Sequence, residues 1–226
     1  MSTLYIVATP IGNLEDVTFR AISTLREVDL ILSEDTRVTR RLLQRYEIKT
    51  PTESLNARTE GRKAGRVVEL LQAGKSLALV SDAGTPAISD PGAILVSMIR
   101  AALPEIKIEP IPGASALTAA LSVAGLPASD FLFLGFLPHK KGRETLFAEI
   151  VESKRVVVLY ESPHRVVRTL GRLTELLDET RQVIALRELT KIFEEVVRGS
   201  PAEVLASFAV RDSIKGEFVL MISGAK

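Results

Sequence analysis

Leu4-Tyr5-Ile6-Val7-Ala8-Thr9-Pro10-Ile11-Gly12-Asn13-Leu14 is the stretch on which the fold turns. An apolar run that ends in a turn containing Pro and Gly reads as a short buried strand leading into a helix. The helix follows at once, because Phe19, Ile22 and Leu25 recur at helical spacing within residues 18–27. Moving outward, Asp29-Leu30-Ile31-Leu32 and Leu77-Ala78-Leu79-Val80 repeat the apolar strand, and residues 106–111 do so more weakly. Val67, Val68, Leu70 and Leu71 form a helical stripe stopped by Gly74. Pro91 is read as the first position of another helix, with Ile94, Leu95, Met98 and Ile99 facing inward. Strands alternating with helices predict an α/β fold with a mostly parallel sheet under helices.

The second half has the same style. Residues 114–124 are small and helical, residues 131–134 read as a strand, and Arg155-Val156-Val157-Val158-Leu159-Tyr160 is an apolar, β-branched strand. A helix is predicted over 165–177 and strands over 183–186, 194–197 and 218–222. Little helix separates the first two of these strands, which points to hairpins and a mixed sheet. The chain divides near Pro112-Gly113, so two α/β domains are expected, residues 1–112 and 113–226, with a cofactor cleft between them.

Composition narrows the function classes. The 226 residues are 46% hydrophobic and 25% charged, the pattern of a chain that buries a core. No apolar run reaches the roughly 18 residues of a spanning helix, and the start of the chain lacks the pattern of a secretory leader. The expectation is a cytoplasmic protein with no membrane contact. Cysteine is absent and only His139 and His164 are present, which excludes thiolate sites and argues against a histidine-rich metal site. Net charge is +1, but residues 37–66 hold nine basic side chains against three acids. Arg58, Arg62 and Arg66 recur every four residues, a spacing that stacks them on one helix face. Such a stripe is either a solvated face or a phosphate-contacting surface. His139-Lys140-Lys141 with Arg143 is a second, smaller cluster.

Chemistry concentrates where strands end. Ligands of open α/β sheets bind beyond the carboxyl ends of the strands. Thr9-Pro10-Ile11-Gly12-Asn13-Leu14 occupies such an end but lacks the glycines of the dinucleotide fingerprint, so a nicotinamide site is poorly supported. Ser81-Asp82-Ala83-Gly84-Thr85-Pro86 offers hydroxyls, a carboxylate and backbone groups to a ribose, an amine or a sulfonium-bearing ligand. Pro112-Gly113-Ala114-Ser115-Ala116 leaves room for a flat ligand at a helix start. Each alone is also an ordinary turn; together they point to a small-molecule pocket. Tyr160-Glu161-Ser162-Pro163-His164-Arg165 and the run from Arg187-Glu188-Leu189 through Glu195 place charges after the apolar strands of the second half. These charges read either as structural ion pairs or as site residues. His164 reads as a helix-start or surface histidine.

In this order and over nearly the whole length, these segments resemble the tetrapyrrole methylase superfamily, and within it the branch that acts on small-subunit ribosomal RNA. Thr9 to Leu14 together with Asp82 to Pro86 carry the resemblance, supported by Ser33-Glu34-Asp35-Thr36-Arg37, Leu134-Gly135-Phe136-Leu137-Pro138 and Lys215-Gly216-Glu217-Phe218-Val219. The resemblance implies S-adenosylmethionine in the interdomain cleft, a homodimer, and 2′-O-methylation of a cytidine ribose in the decoding region. It implies cofactor contacts at Pro10, Asp82, Ala83, Gly84, Thr85, Ser115, Ala116, Tyr160, Leu186 and Gly216. The partner is then the small ribosomal subunit or its RNA, with Arg37, Arg58, Arg62, Arg165 and Arg187 as substrate-binding candidates. A tetrapyrrole-type small-molecule methylase and a non-catalytic ribosome-binding module are the alternatives.

Two departures stand out. Relatives often carry a His-x-His-Asn stretch where this chain has Asn56-Ala57-Arg58-Thr59. Many also continue into a small helical extension, where this sequence stops at Lys226, so weak affinity for bare RNA is expected. Methyl transfer from a sulfonium is an in-line displacement that needs orientation and, for a ribose hydroxyl, a nearby base, but no metal. Glu161, Glu188 and Lys191 are the catalytic candidates, with Glu188 and Lys191 favoured as an acceptor-side pair. Lys191 acts as a base only if its pKa is depressed; otherwise it binds phosphate while a glutamate takes the proton.

Overall fold

Runs of three to six residues, most of them apolar, form the strands of two separate five-stranded sheets in the computed structural model, which describes residues 2–225. The chain divides into two compact units, one up to Ser115 and one from Ala116 onward.

In the first unit, β1 (Thr3–Val7), β2 (Leu30–Ser33), β3 (Thr52–Ser54), β4 (Leu77–Val80) and β5 (Lys107–Ile111) are ordered β3-β2-β4-β1-β5, and every pairing is parallel. Helices α1 (Phe19–Glu27) and α2 (Thr36–Arg45) pack Leu25, Leu42 and Leu43 on one face of the sheet, against Val7, Ile31 and Val80. Helices α3 (Glu60–Gln72) and α4 (Ala93–Ala102) pack Val67, Leu71, Leu95 and Ile99 on the other, against Leu4, Leu32 and Leu79. All four residues of β4 are buried, as expected of a strand covered on both faces.

Two sequence expectations change here. Pro91 lies outside α4, whose N-cap is Gly92, and Ile94 and Met98 are exposed while Leu95 and Ile99 are buried. What fixes the start of α4 is a buried carboxylate: Glu60 Oε2 accepts from Gly92 N at 2.9 Å and Leu95 N at 3.4 Å. The arginine stripe is also shorter than its spacing promised. Arg58 precedes α3 in a turn held by Asn56, whose Oδ1 accepts from Arg58 N at 3.1 Å, so only Arg62 and Arg66 are helical.

In the second unit, β6 (Phe131–Phe136), β7 (Val156–Glu161), β8 (Val183–Arg187), β9 (Glu195–Gly199) and β10 (Phe218–Ile222) are ordered β6-β7-β10-β8-β9. Only β6 and β7 pair in parallel; β10 is antiparallel to both β7 and β8, and β8 and β9 form the expected antiparallel pair. Phe147 of α6 (Arg143–Glu152), Leu170 of α7 (Val166–Leu176) and Phe208 of α8 (Pro201–Ala209) build one core with Val157, Ala185 and Leu220. The small-residue helix α5 (Ala116–Ala124) opens this unit. No helix among the described residues is long and apolar enough to cross a membrane.

Candidate functional site: two strand-end edges

The first unit has a topological switch point. β1 leads through α1 to β2, which lies beyond β4, while β4 leads through α4 to β5, which lies beyond β1. Adjacent strands whose connections depart in opposite directions leave a crevice at their carboxyl ends. The turns after β1, β4 and β5 meet there. Thr9 N donates to Gly84 O at 2.9 Å and Gly84 N to Thr9 O at 3.0 Å. Thr9 Oγ1 donates to Ser81 O at 3.2 Å, and Thr85 Oγ1 reaches Ala114 O at 3.4 Å. Gly84 has φ +83°, a left-handed conformation that favours glycine at this turn. Pro10, Asp82, Ala83, Gly84, Thr85 and Ser115 thus fall in one unit, the first five of them in the turns that follow β1 and β4.

This edge is acidic. Asp82 Oδ1 accepts from Asp35 N at 2.9 Å, which brings the end of β2 to the end of β4. Burial raises the Glu34 carboxyl above its usual range, and Asp82, Asp90 and Asp35 add repulsion. Burial raises Asp82 as well, although the Asp35 amide opposes it. Asp35 goes the other way, to about 2, because Arg37 donates to it from side chain and backbone. Ser33 Oγ, at the end of β2, is buried without a hydrogen-bond partner among the described residues. Half-buried carboxylates that repel one another, beside hydroxyls, suit a cationic ligand with polar substituents. Glu34 and Asp35 were not among the sequence candidates; their place directly after an apolar strand was the available signal.

The second unit gathers its candidates along one sheet edge. Register sets Tyr160 beside Val219 and Val219 beside Leu186, while Gly216 lies two residues ahead of β10. Leu186 is 0% exposed, so the structure presents neither its side chain nor its backbone at the surface of this edge. Gly216 has φ +90°, and a Cβ there would fall 2.3 Å from Glu188 Cγ. Glu188 itself holds φ 52°, a left-handed conformation uncommon outside glycine.

The three catalytic candidates differ in their surroundings. Glu188 Oε1 accepts from Lys191 Nζ at 2.7 Å and Glu217 N at 3.0 Å. Burial pushes the Glu188 carboxyl up, but Lys191 and the Glu217 amide outweigh it and leave it below the usual range. Lys191 also meets Glu217 at 2.9 Å, and these two carboxylates outweigh its burial and raise the ammonium pKa. This is the opposite of the depression that a lysine base requires. Glu161 is buried in the core edge, with Oε1 paired to Arg165 Nε at 2.8 Å and Oε2 accepting from Thr169 Oγ1 at 2.6 Å.

Among the substrate candidates, Arg37, Arg58 and Arg62 are exposed, but Arg37 is paired to Asp35 at 2.5 Å. Arg165 is tied to Glu161, and Arg187 donates to Lys215 O at 2.6 Å and pairs with Glu195 at 3.3 Å. Among the described residues no group of His, Asp or Glu side chains has the arrangement of a metal site.

Known proteins match this arrangement across both units. A protein of Thermotoga maritima named ribosomal RNA small subunit methyltransferase I is 46% identical over 224 residues, 99% of each chain. Its namesake in Halalkalibacterium halodurans is 48% identical over 98% of this chain and 76% of its own length. Among solved structures, the methyltransferase CobJ superposes with a TM-score of 0.74 at 20% identity, covering 100% of this chain and 95% of that one. A diphthine synthase gives a TM-score of 0.74 at 14% identity, covering 98% and 90%. The tetrapyrrole (corrin/porphyrin) methylase family matches residues 3–205, which takes in the first unit's edge and, in the second unit, Tyr160, Leu186 and Glu188. With that match and relatives so similar along the whole length, the chain belongs to the tetrapyrrole methylase family.

Proposed function

We propose that this protein is an S-adenosylmethionine-dependent methyltransferase that 2′-O-methylates a cytidine ribose in the decoding region of small-subunit ribosomal RNA. The observation that carries the substrate is the 46% identity, over 99% of both chains, to a relative named for ribosomal RNA small-subunit methylation. Work on the small subunit in the cytoplasm, as a homodimer, belongs to the same reading.

The first unit's edge fits the cofactor. S-adenosylmethionine supplies a methyl group on a sulfonium cation. Asp82, with Glu34 beside it, offers negative potential to the cationic centres; the Pro10 carbonyl is assigned as an acceptor and the Ala83 and Thr85 amides as donors to polar groups, while Gly84 holds the turn against Thr9. The further residues assigned to the cofactor are Ser115, which ends the first unit, and, in the second unit taken by itself, Ala116, Tyr160, Leu186 and Gly216.

The acceptor side is assigned to Glu188 and Lys191. Lys191 remains an ammonium and draws phosphate or a developing negative charge. Glu188 remains ionised; its Oε1 holds the bonds to Lys191 and Glu217, and its Oε2 accepts the ribose proton. Arg165 and Arg187 orient RNA from fixed positions, and Arg37, Arg58 and Arg62 contact phosphates. Glu161 acts by holding Arg165.

Titration calorimetry tests the cofactor assignment. S-adenosylmethionine and its demethylated product bind, NAD does not, and Asp82→Asn weakens binding about tenfold, the scale of one hydrogen bond to a charge. Because Glu34 and Asp82 have raised pKa values, affinity falls on acidification earlier than ordinary carboxylates would make it. Binding of NAD with no binding of either methyl-cycle compound overturns the assignment.

A further inference from the structure

β6 and β7 run parallel with Phe136 beside Tyr160, so the loops that follow them leave the sheet side by side. β8 ends at the same edge, because Phe218 lies opposite both Glu161 and Arg187. Loops 137–142 and 162–165 therefore share an edge with Glu188 and Lys191. Three strand spacings separate β6 from β8, about 14 Å.

A buried polar chain fastens these loops from below. Arg143 Nη2 donates to Thr169 Oγ1 at 2.7 Å, and its Nη1 donates to Pro138 O at 3.3 Å. The Thr169 hydroxyl passes the contact on to Glu161. Arg165 pairs with Glu161 and donates to Leu137 O at 2.8 Å. Burying charges is costly even when they are paired. Here it fixes the backbone of one loop to the carboxylate at the root of the other.

Above this chain, His139, Lys140, Lys141, His164 and Arg168 are exposed. Lys140, Lys141 and Arg168 enter no ion pair among the described residues, whereas Arg172, one turn along α7, is neutralised by Glu144 and Glu175. Phe136 is 51% exposed at the end of β6 and rests on Tyr160 with ring centroids 5.5 Å apart. Unpaired cations beside an exposed aromatic ring, on a rigid backbone, match the needs of single-stranded RNA: phosphates meet the cations and a base stacks on the ring.

We propose that Phe136, Lys140, Lys141 and Arg168 form an RNA-contact surface that holds the single-stranded segment flanking the methylated nucleotide. This rests on the ribosomal RNA reading, and it adds residues at the end of β6, on the loop after it and on α7 that the substrate candidates above do not include.

The test measures binding of the full chain to unmethylated small ribosomal subunits across a salt series at constant magnesium, together with steady-state methyl transfer. Lys140→Gln/Lys141→Gln/Arg168→Gln should lower the slope of log affinity against log salt by about two, at roughly 0.7 for each phosphate no longer neutralised. It should raise KM for the subunit and leave kcat near wild type. Phe136→Ala should weaken binding about tenfold with the slope unchanged. Lys154→Gln/Arg155→Gln, at the opposite end of β7, should behave as wild type. A triple variant with the wild-type slope, a control variant whose slope falls equally, or a triple variant whose only change is its oligomeric mass overturns the surface. If the wild type transfers no methyl group while the triple variant still lowers the slope, the surface stands and the methylation reading falls.

Discussion

Lys191 and Glu188 each hold the other in its charged form. Lys191 has a raised pKa, so the stability it contributes is complete below about 10.5 and is lost as pH rises through its folded value. Glu188 has a lowered pKa, so its contribution is present above about 4.5 and is lost as pH falls through its folded value. Between these limits neither group titrates, and the methyl-transfer rate should show no ionisation from Lys191 near neutrality. Glu188→Gln should keep the fold and cofactor affinity while lowering turnover about a hundredfold or more, the usual worth of a positioned base. Glu161→Ala should behave differently. It strips Arg165 and the nearby Arg143 of their counter-charge and should cost about 3–5 kcal/mol of stability, seen as a lower melting temperature. Melting curves set beside single-turnover rates separate the two glutamates. Equal melting temperatures with equally lost rates would return Glu161 to the chemistry.

At the scale of elements, strands with uniform apolar runs were legible: residues 77–80 and 218–222 are β4 and β10 as read. Helices without a clean stripe were not. α2 reads TRVTRRLLQR, where arginines mask the inward Thr39, Leu42 and Leu43, and α6 buries Arg143 alongside Phe147 and Ile150. α8 was missed although its start is written in the chain. Ser200 and Glu203 form a capping box around Pro201. Short β3, with no buried residue, carries too little pattern to be seen. The three strand-end turns of the site were legible because Gly and Pro punctuate them. The acids beside them were not, because Glu34 and Asp82 meet only when β2 and β4 pair. The same is true of Glu60, which caps α4 from α3. Glu60→Ala should leave Gly92 N and Leu95 N without their acceptor and cost about 1–3 kcal/mol. Hydrogen exchange should show the first turn of α4 losing protection before the rest of the first unit. Uniform loss across both units would contradict a local cap.

For the whole molecule, a net charge of +1 conceals surfaces of opposite sign, one in each unit. The switch-point edge of the first unit collects Glu34, Asp35 and Asp82, while the β6–β7 edge of the second leaves Lys140, Lys141 and Arg168 without an ion pair among the described residues. A cationic cofactor suits the first of these surfaces and an anionic substrate the second. The family match reaches into both units and the family is described by corrin and porphyrin methylation, so fold alone does not choose the acceptor. The choice is settled most directly by offering the protein radiolabelled S-adenosylmethionine with unmethylated small ribosomal subunits, free ribosomal RNA and a tetrapyrrole precursor in parallel. The account predicts label in the small-subunit RNA at one cytidine, where the 2′-O-methyl group blocks alkaline cleavage of the chain. Label in the tetrapyrrole, or none in any acceptor while the cofactor binds, would contradict it.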